Sequence, residues 1–283
     1  MIRSLREHWP EYLYEAAELG LFMISAGLFT ILLHHPSSPV LNFIPDPFVR
    51  RMLTGVAMGA TAVVLIFSPL GKRSGAHFNP AVTLTFWRLG KMKNWDALFY
   101  IVAQFSGAIF GVLVVAIVAR VALSDPAVNY AATLPGPRGV WIAFTAELVI
   151  AFILMTTILH VSNTPHLARF TGLFAGALVA TFITFEAPFS GMSMNPARTF
   201  GSAVVGQVWT GLWIYFTAPV LAMQLAALLY LRREGVVYCA KYHHHNQERC
   251  IFNCRFPELL ALERTGKDAQ QQTKTRNETS LAK

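Results

Sequence analysis

The sequence predicts an all-α membrane protein, with six transmembrane helices and two re-entrant half-helices arranged as an inverted repeat. Three observations carry this. Of 283 residues 54% are hydrophobic and only 13% charged, against about 25% charged in soluble domains. Apolar runs of spanning length recur along the chain. Two copies of Asn-Pro-Ala each open an apolar run too short to cross a bilayer, which takes about 20 residues.

The spans run at Tyr12–Leu33, Phe48–Ser68, Asp96–Ala119, Val140–Val161, Ala168–Ala187 and Thr210–Leu231. The first follows Arg3, Arg6 and Glu7 with no small-residue cleavage site behind it, so it reads as a retained span and not a signal peptide. Between the second and third spans lies Gly75-Ala76-His77-Phe78-Asn79-Pro80-Ala81, and between the fifth and sixth lies Gly191-Met192-Ser193-Met194-Asn195-Pro196-Ala197. Asn is a strong N-cap, and Pro suits the first helical position, where its missing N–H would have no partner anyway. Each copy therefore predicts extended backbone turning into a short helix, Ala81 to Trp87 and Ala197 to Val205.

Each half (about 12–122 and 140–232) holds an odd number of spans, so the second sits inverted in the membrane. Inverted repeats place their site near the midplane, where broken helices meet. Residues 1–11 form an N-terminal segment and 233–283 a polar tail, read as mostly disordered from its Gln-, Lys- and Thr-rich composition.

Charge orients the chain. The net charge of +8 could suggest nucleic acid, but the basic residues lie between spans rather than on a patch. With the N-terminus inside, inner flanks carry Arg3, Arg6, Lys72, Arg73, Arg88, Lys91, Lys93, Arg169, Arg232 and Arg233. Outer flanks carry only Arg50, Arg51, Arg120 and Arg138. The excess places both termini in the cytoplasm. His34–Pro47 and Ser124–Pro137 are then external loops. Gly55/Gly59, Gly107/Gly111 and Gly172/Gly176 have the spacing that lets helices approach closely in lipid.

Backbone exposed at membrane depth must line water or be buried in protein. The carbonyls of Gly75, Ala76, His77, Gly191, Met192 and Ser193 are accordingly expected to line a pore. Asn79 and Asn195 cap their helices through the side-chain oxygen and keep amide donors. Two facing helix N-termini concentrate positive potential, which admits neutral hydrogen-bonding molecules and opposes protons and cations.

Gly-Ala-His-Phe-Asn-Pro-Ala-Val-Thr and Ser-Met-Asn-Pro-Ala-Arg-Thr-Phe-Gly resemble the paired signature of the aquaporins, the major intrinsic proteins, over residues 12 to 232. The resemblance implies a six-helix bundle in a plasma (inner) membrane, a homotetramer and one pore per subunit. It implies that Glu18 and Glu147 match paired buried glutamates that brace the half-helix loops, and that Gln104 belongs to the third span. It also implies a narrow filter, carried over by ungapped counting to Gly59, Ile183, Met192 and Arg198. Water-selective members carry residues similar to Phe, His, a small residue and Arg at these places, so Gly59 should widen the filter, Ile183 should replace a polar contact with an apolar wall, and Met192 should refill part of the gap. Thr199 and the pair Tyr215-Phe216 point instead toward water channels.

The expected function is a passive channel for water and small uncharged solutes such as glycerol or urea, excluding protons and ions. Water alone, or peroxide or a neutral metalloid acid, is the alternative. An inverted-repeat transporter is the rival, yet the spans offer no titratable pair beyond Glu18 and Glu147. No catalytic group and no cofactor is expected, and the partners are lipid, the solutes and copies of the chain. In the tail, Cys239, His243, His244, His245, Cys250 and Cys254 lie close in sequence, with Cys239, His243, His245, Cys250 and Cys254 the candidate ligands. Paired C-x2-C spacing is missing, so a solvent-exposed tail competes with a zinc site.

Overall fold

A computed structural model describes residues 1–233 and 235–265. Among the described residues, six helices are long and apolar enough to span a bilayer. They are α1 (Ile2–His34), α2 (Pro47–Phe67), α4 (Asn94–Leu123), α5 (Val140–Ser162), α6 (Thr171–Phe185, extended back to Ala168 by a 3-10 turn) and α8 (Leu212–Arg233). The short helices α3 (Pro80–Arg88) and α7 (Pro196–Gly206) lie where the two Asn-Pro-Ala copies predict them. Asn79 and Asn195 are their N-caps, with extended backbone and Pro in the first turn. Residues 1–11 continue α1 instead of standing apart, and His8 and Tyr12 on that helix bond Asp96 of α4 at 2.9 and 2.7 Å.

The most extensive helix pairs are α1 with α4, α5 with α8, and α2 with α6. Exchanging the halves turns the first pair into the second and maps the third onto itself, as an internal repeat requires. Small residues set these crossings. A Cβ on Gly59 would lie 2.5 Å from the Gly176 carbonyl oxygen and 2.9 Å from the Ala180 methyl. A Cβ on Gly107 would overlap the backbone of Ala16. Close approach through glycine is how helices pack where lipid offers no hydrophobic drive. Outward positions stay apolar, with Phe110, Ile117, Val121 and Trp141 among the exposed side chains.

The tail departs from expectation. Residues 235–265 do not trail away. They fold against the same end of the bundle that carries the start of α1, with Val237, Tyr242, Ile251, Phe252, Phe256 and Leu259 buried, and 256–265 helical. Arg249 Nη1 donates to Glu7 O at 2.9 Å, Asn253 N to Lys91 O at 2.9 Å, and Tyr238 N to Asn163 Oδ1 at 2.6 Å. The expected disorder of 266–283 lies outside the described residues.

Candidate functional site

The two re-entrant loops are built on one plan. Gly75 and Gly191 end short preceding helices in the left-handed region, at φ 102° and 79°, where a Cβ is strained. Ala76 and Phe78 in one loop, and Met192 and Met194 in the other, also take positive φ. That alternation turns successive carbonyls and N–H groups in opposite directions, so each loop needs an acceptor behind it.

In the second loop that acceptor is Glu147. Its Oε1 accepts from the Ser190 hydroxyl (2.8 Å) and Ser193 N (2.7 Å), and its Oε2 from Met194 N (2.7 Å). In the first loop the work is divided. Glu15 accepts from His77 N (2.9 Å) and Phe78 N (2.7 Å), while Glu18 accepts from the Ser74 hydroxyl (2.8 Å). Glu18 meets the loop through Ser74, whose Oγ in turn accepts from Ala76 N at 3.0 Å, and does not itself receive the amides of His77 and Phe78. Those fall to Glu15, one turn earlier on the same helix face. A second ionisable residue at i−3 inside an apolar span was the signal available for it. Gln104 Nε2 bridges Glu15 Oε2 (2.7 Å) and Thr83 Oγ1 (2.9 Å). Tyr100 and Tyr215 donate from equivalent places to the carbonyls of Ser74 (2.7 Å) and Ser190 (2.5 Å).

The loops clasp each other at the centre. Asn79 Oδ1 caps Ala81 N (2.9 Å), and Asn79 Nδ2 donates to Met194 O (2.7 Å). Reciprocally, Asn195 Oδ1 caps Ala197 N (3.1 Å) and Asn195 Nδ2 donates to Phe78 O (2.8 Å). Each amide thus spends one N–H on the opposite loop and keeps a second. Pro80, Ala81, Pro196 and Ala197 are buried directly behind them.

A cavity of about 410 Å³ runs past this junction. Asn79, Asn195, His77, Gly191, Met192, Ser193 and Arg198 line it, whereas Gly75 and Ala76 do not. Arg198 is held by its backbone N to Asn195 Oδ1 at 3.2 Å, and its Nη1 is buried without a hydrogen-bond partner in the protein. The apolar lining is Met58, Ala62, Ile66, Val82, Leu154, Val179 and Ile183, together with Phe22 and Phe78. Of the four positions obtained by counting, Ile183, Met192 and Arg198 reach the cavity and Gly59 does not. Gly59 faces Gly176 and Ala180 across the α2–α6 crossing. The cavity face of α2 is Arg51, Thr54, Met58, Ala62 and Ile66, a 3–4 residue period that leaves Gly59 on another side. Counting back from Asn79 assigned a rotation about the helix axis that only packing fixes.

The two ends of the cavity differ. At the far end, His34, Arg51 and Thr54 meet residues 127–132, where Asn129, Tyr130 and Ala131 take positive φ and Tyr130 O accepts from the Ser202 hydroxyl (2.9 Å). At the other end the lining finishes at Tyr242, from the tail. Tyr242 N donates to Gly75 O (3.1 Å), His77 Nε2 bonds Ala240 O (2.9 Å), and Phe252 stacks on the His77 ring at 5.5 Å. Lys241 Nζ donates to Lys72 O (2.6 Å) and Arg249 O (2.8 Å), and burial pushes its ammonium below the ordinary lysine range.

Of the tail candidates, Cys239, Cys250 and Cys254 converge, and the histidine that joins them is His244. His243 instead packs edge-on against Phe67, and His245 pairs with Glu263 at 3.8 Å. Three consecutive histidines offered no sequence signal for which one turns inward.

Comparisons with known proteins agree with this architecture. The family model for the major intrinsic proteins matches residues 9–230. The chain is 39% identical to maize aquaporin NIP2-3 over 79% of its own length and 73% of that protein. It is 38% identical to aquaporin AqpM of Methanothermobacter thermautotrophicus over 62% of this chain and 74% of that one. The fold is similar to that of the aquaglyceroporin from Plasmodium falciparum, with a TM-score of 0.65 at 21% identity, covering 81% of this chain and 97% of that one. The chain belongs to the major intrinsic protein family, whose members are membrane channels and not enzymes.

Proposed function

We propose that the chain is a passive channel for water and small uncharged solutes carrying both hydroxyl or amide groups and an apolar edge, such as glycerol or urea. The observation that carries this is the two-sided cavity. Its lining combines a polar strip of loop backbone, Asn79, Asn195 and Arg198 with an apolar wall that includes Met58, Val179 and Ile183. A polyol can satisfy its hydroxyls on the strip while its carbons lie on the wall. Water needs only the strip. Arg198, with an unpartnered Nη1, and the two helix N-termini make the centre unfavourable for cations and protons. No aromatic ring stands beside Ile183 and Met192 on the α2 wall; Met58 does, and thioether chains adapt to solutes of different shape.

The end bearing α1's start and the tail is assigned to the cytoplasm, because Lys72, Arg73, Lys91, Arg169, Arg232 and Arg233 cluster in its flanks. A plasma-membrane homotetramer completes the reading, with the apolar outer faces of α4 and α5 serving lipid and neighbouring copies.

The test is stopped-flow light scattering of proteoliposomes given a water-efflux shock and then glycerol and urea gradients. Water efflux and glycerol reswelling above protein-free vesicles are expected in chelator-containing buffer. Met58→Ala should raise glycerol uptake severalfold relative to water, while Arg198→Ala should introduce a cation leak. Water flux without any solute reswelling, in wild type and Met58→Ala alike, would make the pore water-only. Uphill solute movement driven by a proton or sodium gradient would make it a transporter.

A further inference from the structure

Four ligand atoms of the tail, those of Cys239, His244, Cys250 and Cys254, lie within 4.8 Å of one another, and all three thiols are free. Cys239 Sγ and Cys250 Sγ are 3.6 Å apart, and Cys254 Sγ is 3.1 Å from His244 Nε2. A disulfide would need about 2.05 Å. A tetrahedral zinc with bonds of about 2.3 Å to sulfur has a sulfur–sulfur edge of about 3.8 Å, close to the spacing seen. Three cysteines and a histidine, with no position left for solvent, are one of the closed donor sets of structural zinc.

The surroundings fit the same ion. The Phe256 N–H donates to Cys254 Sγ at 3.4 Å, the kind of contact that orients a metal-bound thiolate. Phe256 also stacks on the His244 ring at 4.2 Å and fixes the direction of Nε2. Three thiolates around a divalent ion leave one excess negative charge, and Lys91 and Lys241 both lie within electrostatic reach of Cys239 and Cys254.

The ligands bracket the tail residues that cover Gly75 and His77 and line the end of the cavity. Ala240, Lys241 and Tyr242 follow Cys239, and Phe252 lies between Cys250 and Cys254. Residues 239–254 include no helix or strand of their own, so ordering them is entropically costly unless a cross-link or ligand holds them. We propose that a single zinc ion bound by Cys239, His244, Cys250 and Cys254 clasps this loop into a plug that closes the tail-side mouth of the channel. Zinc is then a ligand of the closed state, and its removal opens the pore. The gating half rests on the channel reading above, while the metal site does not.

Two measurements on the full-length protein test this. Elemental analysis of detergent-purified protein should find about one zinc per chain, the stoichiometry of a single four-ligand site. Cobalt added to chelator-stripped protein should give tetrahedral d–d bands with thiolate charge transfer. Cys250→Ser/Cys254→Ser should lose both signals. Protein that holds no zinc, or binds cobalt octahedrally, overturns the site.

In proteoliposomes with zinc or chelator on both faces, free zinc a hundredfold above Kd favours the closed state by about 100-fold. Stripping zinc from wild type should therefore raise water permeability by about tenfold or more. Cys250→Ser/Cys254→Ser should be open in either condition. Tyr242→Ala/Phe252→Ala should be open while still binding zinc. Wild-type flux that ignores chelation while Tyr242→Ala/Phe252→Ala conducts overturns zinc control of the mouth. No flux in Tyr242→Ala/Phe252→Ala, with the protein still assembled, overturns the channel reading and with it the gate; the metal analysis then decides the site alone.

Discussion

The two re-entrant loops follow one backbone path and are held by different means. Behind the second loop a single carboxylate, Glu147, takes the Ser190 hydroxyl and the amides of Ser193 and Met194. Behind the first, Glu15 takes the two amides and Glu18 takes the hydroxyl. The loops also differ in what covers them. Gly191 packs against residues 133–134, whereas Gly75 and His77 are covered by the tail. Repetition of a fold thus fixes where loop amides point, but leaves open which acid receives them and what lies over the mouth.

This difference can be broken by substitution, and the number of groups left unpaired sets the order. Glu147→Ala should have the largest effect. It strands three buried donors, each costing about 1–2 kcal/mol, so about 3–6 kcal/mol is lost and assembly fails at ordinary temperature. Size-exclusion in detergent reads this directly. Glu15→Ala strands two amides, while Gln104 keeps Thr83 as a partner. A loss of about 2–4 kcal/mol follows, visible as a lower thermal midpoint with assembly retained. Gly59→Ala sharpens a separate point, because its methyl meets the Gly176 carbonyl oxygen. Overpacking of about 1–3 kcal/mol is expected with unchanged solute ratios in folded protein. A changed glycerol-to-water ratio would return Gly59 to the cavity wall. Glu18→Gln should be smallest, below about 1 kcal/mol, since the amide oxygen still accepts from Ser74. An effect equal to that of Glu15→Ala would mean the loop leans on both acids alike.

The fold was legible because its signals are local and doubled. Asn-Pro-Ala states a helix start twice, and lipid-facing helices announce themselves by length alone. Arg198, Ile183 and Met192 were reachable because short counts from Asn195 stay within the loop and α6. Gly59 was not, since an error of one residue on a helix is a rotation of about 100°. Glu15 was hidden by its neighbour, both being acids on one turn of α1. The tail was misread by averaging. Val237, Tyr242, Ile251, Phe252, Phe256 and Leu259 were pooled with the polar run beyond 265, and the pooled composition resembles disorder although the first part buries apolar side chains. The converging thiols depend on how that part folds, and no spacing rule written for paired C-x2-C sites describes it.

If a conducting, charge-excluding path runs past Asn79 and Asn195 and the tail covers one end of it, uncovering that end releases water but not protons. The most direct test measures water permeability and proton conductance in the same vesicles carrying Tyr242→Ala/Phe252→Ala. Water flux well above both wild type and protein-free vesicles, with proton leak no greater than in protein-free vesicles, is the predicted result. Assembled protein whose water flux equals that of protein-free vesicles, or whose opening admits protons along with water, would contradict it.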